Sequence, residues 1–220
     1  MTGNQVDIGA WLKEAFELYK RHFGILVVAN LIALALGAVT LGILAGPLFV
    51  GVASVTLALL DNAASPPKAS DVFNGMKVFV PALLWMLLVA LATVAVVGIC
   101  QLTCILAPAS PLGALLIGTA TFFSPFFIWE RRVGVWPAIT MSYQAIKPAF
   151  WLVLAYALIA QFAAGLGAIA CGIGAVFTAP FYMCAAAVAY RKMIVPLPPV
   201  AGEPLVKVDP PHPSAAGPAA

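Results

Sequence analysis

"PFFIWERRVGVWPA", residues 125–138, decides how this chain is read. From Val78 to Trp129 there is no Asp, Glu, Lys or Arg; then Glu130, Arg131 and Arg132 arrive together, with Trp129 and Trp136 on either side. That is the pattern of a chain leaving a bilayer. An Arg at the centre of a spanning helix costs roughly 2.5–3.5 kcal/mol on insertion scales, whereas Arg and Trp are both favoured at the interface.

Composition agrees. The 220 residues are 63% hydrophobic and 9% charged, against about 25% charged in soluble domains, and mean hydropathy is +1.05. So little polar surface cannot coat a water-soluble globule of this size, which makes the chain an integral membrane protein. It has room for one membrane domain and a short tail, and none for a separate soluble catalytic domain.

Two more windows lack charge, His22 to Leu60 and Pro148 to Tyr190. A spanning helix takes about 20 residues, so each of the three windows is long enough for two legs. Turn residues mark the fold-backs: Gly37, Gly42 and Gly46-Pro47 in the first, Pro108 and Ser110-Pro111 in the second, Gly165, Gly167, Gly172 and Gly174 in the third. The expected fold class is all-α: a polytopic membrane protein with six transmembrane helices arranged as three helical hairpins, 23–60, 79–129 and 149–190. A membrane barrel is a poor reading because the apolar runs lack its polar/apolar alternation.

With six legs, every basic residue, from Lys13 through Lys68, Lys77, Arg131, Arg132 and Lys147 to Lys207, falls on one side. The positive-inside rule makes that side cytoplasmic, so both termini are expected there. Two cytoplasmic segments are amphipathic. In 7–21, Ile8, Trp11, Leu12, Ala15 and Tyr19 follow helical spacing, with Lys13, Glu17 and Arg21 on another face; in 135–147, Trp136, Ile139, Tyr143 and Ile146 form one stripe behind Pro137. Both are expected as interfacial helices.

These segments suggest internal repetition. "IGAW" (8–11) and "VGVW" (133–136) open them, and "AGPLF" (45–49) and "TAPFY" (178–182) recur in the hairpins that follow. "DVFNGMKVFVP" (71–81) and "FSPFF" (123–127) supply a shortened middle copy, giving three parallel units.

Chemistry-bearing residues are few. Arg131 and Arg132 are expected to anchor the end of the fourth leg at the cytoplasmic face, and with Lys147 they are also the candidates for a lipid head-group site. Glu130 has no carboxylate or His nearby in sequence to form an acid/base pair. No leg interior carries Asp, Glu, Lys, Arg or His, which counts against ion-coupled transport and voltage sensing. Asn30 and Gln161 are the intramembrane polar residues most costly to leave facing lipid, and each is expected to bond a neighbouring helix. Cys100, Cys104 and Cys171 fall near the outer surface on this topology, where a disulfide from Cys171 to Cys100 or Cys104 is permitted; small buried thiols are the plainer reading for all four cysteines, Cys184 included. No metal-ligand spacing, cofactor loop, catalytic triad or nucleic-acid motif occurs, so no cofactor, no metal and no enzymatic activity are expected. The N-terminal stretch has acidic residues and no cleavage pattern, and 194–220, rich in Pro and Ala, is expected to be a disordered cytoplasmic tail.

"WLKEAFELYKR" (11–21), a hairpin with "AGP", "DVFNG" (71–75) followed by "FVP", and "AITMS" (138–142) before the last hairpin together resemble a loose group of uncharacterised bacterial six-helix membrane proteins. That group is similar to the membrane domain fused to some glycerophosphodiester phosphodiesterases. The resemblance covers about residues 8–192 and implies six helices, residence in the inner membrane and a link to lipids. The enzyme's catalytic domain has no counterpart, so no catalytic residues carry over.

Two function classes follow. The first is a non-enzymatic membrane protein that organises phospholipid, a protein partner or copies of itself. The alternative is a transporter or channel for a neutral or amphipathic small molecule.

Overall fold

The structure, a computed structural model, describes residues 7–61, 66–102, 110–169 and 173–194. All regular structure among them is helical. Of the expected tail, 194–220, Ile194 is the last residue of a helix and the remainder lies outside the described residues, as do Cys104 and Cys171.

Helix α1 spans Ile8–Arg21. It starts at Asp7, whose Oδ1 accepts the Ala10 N–H at 3.0 Å, and it buries Trp11 and Ala15 while Lys13 and Glu17 stay exposed. This is the expected amphipathic helix. At His22 the axis turns by 86° into the apolar α2, Phe23–Val39. The turn at 40–44 uses Gly42 at φ +87°, a backbone conformation that glycine adopts without a Cβ penalty. Its N–H reaches back to Gly37 O at 2.7 Å.

Helix α3, Ala45–Leu60, is the most enclosed element; from Gly46 to Leu57 every residue but Phe49 is buried. A 3-10 segment, Ala69–Val78, is capped by Asp71, whose Oδ2 accepts the Lys68 N–H at 2.7 Å, and runs directly into α4, Phe79–Leu102. Then come α5, Ser110–Ala120, and α6, Ser124–Glu130. Helix α7, Val135–Ile146, continues through a 3-10 turn, Lys147–Ala149, into α8, Phe150–Ile169; α9 is Ile173–Ile194.

Three helical segments among the described residues are long and apolar enough to cross a membrane: Ala69–Leu102, Leu112–Glu130 and Val135–Ala163. The count becomes four if the bent pair α1–α2 is one span. This is fewer than the six legs read from charge. Helices α2 and α3, with 17 and 16 residues, extend about 24–26 Å at 1.5 Å per residue, short of a ~30 Å hydrocarbon core. The second segment is also interrupted at 121–123, where α5 gives way to α6 just before Ser124-Pro125. The segment expected as an interfacial helix, 135–147, is helical but runs on into α8, and the two together make up the candidate span Val135–Ala163.

Packing follows a cyclic order. Helix α2 lies on α3, α4 on α5, whose segment continues past the break as α6, and α8 on α9. The segment leading into each pair then docks on the closing helix of the preceding pair: the 3-10 segment on α3, α7 on α6, and α1 on α9. Each docking falls at a small-residue–Pro–aromatic stretch. A Cβ on Gly75 would run into Pro47 O, so only glycine lets the 3-10 backbone lie against α3 there. At the α5–α6 break, Ser142 of α7 donates its hydroxyl to Ala120 O at 2.8 Å and accepts the Phe123 N–H at 3.1 Å. Within α9, Pro180 has no N–H to give Val176 O four residues back. Nδ2 of Asn30, on α2, donates to that oxygen at 3.2 Å, and Tyr19 of α1 donates to Phe177 O at 2.6 Å.

Candidate functional site

The closing helices end in charge, and their ends meet. Asp61 follows α3, Glu130 is the last residue of α6, and Arg191 lies in the last turn of α9. Arg191 Nε donates to Asp61 Oδ1 at 2.9 Å and its Nη2 to Asp61 Oδ2 at 2.5 Å, the two-pronged geometry that a guanidinium makes with a carboxylate. The same Nη2 lies 2.5 Å from Glu130 Oε1, while Tyr190 donates to Glu130 Oε2 at 2.7 Å. Tyr190 is itself fixed: its buried ring stacks on Phe126 at 5.0 Å between centroids and meets Phe123 and Phe127 edge-on. Nearby, Lys192 pairs with Glu14 of α1 at 3.0 Å. Partial burial alone lowers the Arg191 pKa, but the bonds to Asp61 and Glu130 outweigh it and leave the group above the ordinary guanidinium value.

Beside this junction lies a cleft of about 420 Å³ lined by Ser54, Asp61, Asp71, Asn74, Trp129, Glu130 and Arg191, among others. Three carboxylates face one guanidinium there, so the cleft is net negative. Its chemistry is that of a clamp. Ser54 spends its hydroxyl on Gly51 O within α3, and the lining contains neither His nor Cys to act as nucleophile or general base. Among the described residues no group of three or more His, Cys, Asp or Glu is arranged to hold a metal ion.

The residues singled out from sequence are distributed as follows. Arg131 and Arg132 stand together just past α6. The Arg131 guanidinium lies 5.7 Å from the Phe127 ring centre and that of Arg132 4.4 Å from Trp129, within cation–π range. Neither makes an ion pair among the described residues, because the adjacent Glu130 is held by Arg191 and Tyr190. Lys147 is exposed at the C-terminal end of α7, with the whole 12-residue helix between it and the arginine pair. Asn30 is buried and makes the expected inter-helix bond. Gln161 is on the exposed face of α8. Cys100 is partly buried in α4, and both of its candidate disulfide partners fall outside the described residues.

Sequence reading missed Asp61, Arg191 and Tyr190. The signal was present. Asp61, Glu130 and Arg191 are each the first charged residue after one of the three uncharged windows. Comparison with family models, curated proteins and solved structures finds no match to this chain.

Proposed function

We propose that this is a non-enzymatic, multi-pass protein of a bacterial cytoplasmic membrane that organises anionic phospholipid at its charged face. The observation carrying this reading is the state of the arginine pair. Glu130, the one carboxylate adjacent in sequence, is turned to Arg191, and the two guanidiniums are held over Phe127 and Trp129 without an ion pair among the described residues. A pair of pre-positioned, uncompensated guanidiniums is suited to bidentate hydrogen bonding with a lipid phosphate.

The topology in this proposal is six crossings in three hairpins with both termini cytoplasmic. Supporting it, ion pairs gather charges from α1, α3, α6 and α9 at one end, while the turn at 40–44 carries none. The two short helices of the first pair are accommodated by local bilayer thinning, at fractions of a kcal/mol per Å. The inner-membrane assignment rests on the resemblance to bacterial six-helix membrane proteins.

Native mass spectrometry of the purified protein tests the function. The double replacement Arg131→Lys and Arg132→Lys keeps both charges but loses the planar fork. Selective loss of bound phosphatidylglycerol is expected. Unchanged retention would reduce the pair to anchors and contradict the proposal.

A further inference from the structure

The segments that lead into the three helix pairs end alike. Lys20 and Arg21 lie in the last turn of α1, Lys77 in that of the 3-10 segment, and Lys147 in the 3-10 turn after α7. The long helix behind each opens on a phenylalanine: Phe23 of α2, Phe79 of α4 and Phe150 of α8. A step from base to aromatic ring therefore occurs once in each unit of the ring of dockings. The protein surface changes character across it. Exposed residues ahead of the steps include Lys13 and Glu17 of α1, Ser70 of the 3-10 segment and Gln144 of α7. Beyond them lie exposed apolar side chains, Val28 and Leu31 on α2, Val80 and Leu84 on α4, Trp151 and Leu152 on α8, and none of these three helices carries a charge. A basic residue on such a boundary with an aromatic ring just inside it is the arrangement that the edge of the hydrocarbon core favours.

The bases at the steps are also uncompensated. Lys20, Arg21, Lys77 and Lys147 are all exposed, and none makes an ion pair among the described residues. Nearby carboxylates are engaged elsewhere: Glu14 pairs with Lys192, and Asp71 accepts the Lys68 N–H. Lys20 Nζ instead stands 5.2 Å from the centre of the Phe16 ring. A free anion would use only the basic group, whereas the apolar face that continues from each step suits a ligand with a phosphate at one end and hydrocarbon at the other.

We infer that the three steps are equivalent stations for anionic phospholipid of the inner leaflet, one in each unit of the ring. At each station the basic side chain meets the lipid phosphate and the acyl chains lie along the exposed face of α2, α4 or α8. The inference goes beyond the head-group reading above, because it uses neither Arg131 nor Arg132. It would make one molecule the organiser of three lipids set around it.

Native mass spectrometry of the full chain tests this, with dioleoyl phosphatidylglycerol and the zwitterionic dioleoyl phosphatidylcholine as probes. The stations are removed one at a time by Lys20→Gln with Arg21→Gln, by Lys77→Gln and by Lys147→Gln. These side chains are exposed, so each variant should unfold in micelles at the temperature of the parent. Each should lower the preference for phosphatidylglycerol roughly fivefold per base removed, the worth of one basic residue near an anionic surface. The variant lacking all three stations should hold three fewer phosphatidylglycerol molecules than the parent. Lys68→Gln is the control, an exposed base with no apolar helix directly behind it, and should change neither quantity. An effect of Lys68→Gln equal to that of the stations would show diffuse surface charge and overturn the inference, as would full retention in the combined variant. A response at only one or two stations would overturn their equivalence. Replacing Arg131 and Arg132 by Lys in parallel keeps the two readings apart: loss there with full retention in the combined variant leaves the arginine site standing and removes the stations, and the opposite result removes the arginine site alone.

Discussion

Arg191 holds two carboxylates from two other helices, and its value to the fold lies in that sharing. The side chains of Arg191, Asp61 and Glu130 are 24%, 45% and 29% exposed, so water screens part of the attraction. Arg191→Gln should destabilise the protein by about 1–2 kcal/mol in unfolding from mixed micelles. Adding Asp61→Asn to that variant should cost little more, because the pair is already broken. Asn30 makes a sharper case. Its bond to Val176 O stands in for the N–H that Pro180 lacks. Asn30→Leu should therefore cost about 1–2 kcal/mol in the parent and less in a Pro180→Ala background, where the substituted residue supplies its own N–H; equal costs in the two backgrounds would contradict the pairing. Such residues were only half legible in sequence. Asn30 stood out because an amide in an apolar run needs a partner, but which partner depended on a proline far away in the chain. Asp61 and Arg191 looked like ordinary loop charges until folding brought them together.

At the scale of elements, boundaries were readable where charge or glycine set them. Of the hairpin bounds read from sequence, 23–60, 79–129 and 149–190, the first matches the start of α2 at Phe23 and the end of α3 at Leu60, and the starts of the second and third fall at Phe79 of α4 and next to Phe150 of α8, while α9 runs on to Ile194. The interruption at 121–123 was not legible, since Pro125 and Pro180 look alike in sequence. One opens a new helix and the other is carried within α9. The difference is tertiary: Ser142 ties the α5–α6 break from α7, whereas Asn30 covers the carbonyl that Pro180 leaves free. The 3-10 segment was anticipated only as a shortened copy of an amphipathic stretch; its close approach to α3 depends on facing glycines. Gly75→Ala should prevent that docking, because the new Cβ would press on Pro47 O and the Gly51 backbone. A loss above about 3 kcal/mol, or failure to purify as a monodisperse species, is expected. Gly98→Ala in α4 is the control: its Cβ would meet nothing within 4 Å, and it should stabilise by about 0.5–1 kcal/mol.

For the whole molecule, the cyclic order of docking explains how a chain with few polar groups fixes one arrangement of helices. Each pair is held by the segment that leads into the next, and α1 closes the ring on α9. Short motifs suggested a repeat, but the pairing of each leading segment with the preceding closing helix could not be read from them, because nothing local encodes it. The ring leaves the charged ends of α3, α6 and α9 together, and the central claim, six crossings with every basic residue on the cytoplasmic side, is tested most directly by labelling single cysteines in intact cells. In a background without native cysteines, Ile43→Cys in the exposed turn between α2 and α3 should react with a membrane-impermeant maleimide from outside, whereas Lys68→Cys before the 3-10 segment should react only after the inner face is exposed. Labelling of Ile43→Cys only from the inside would show that the first pair of helices enters and leaves by the same leaflet, and would contradict six crossings.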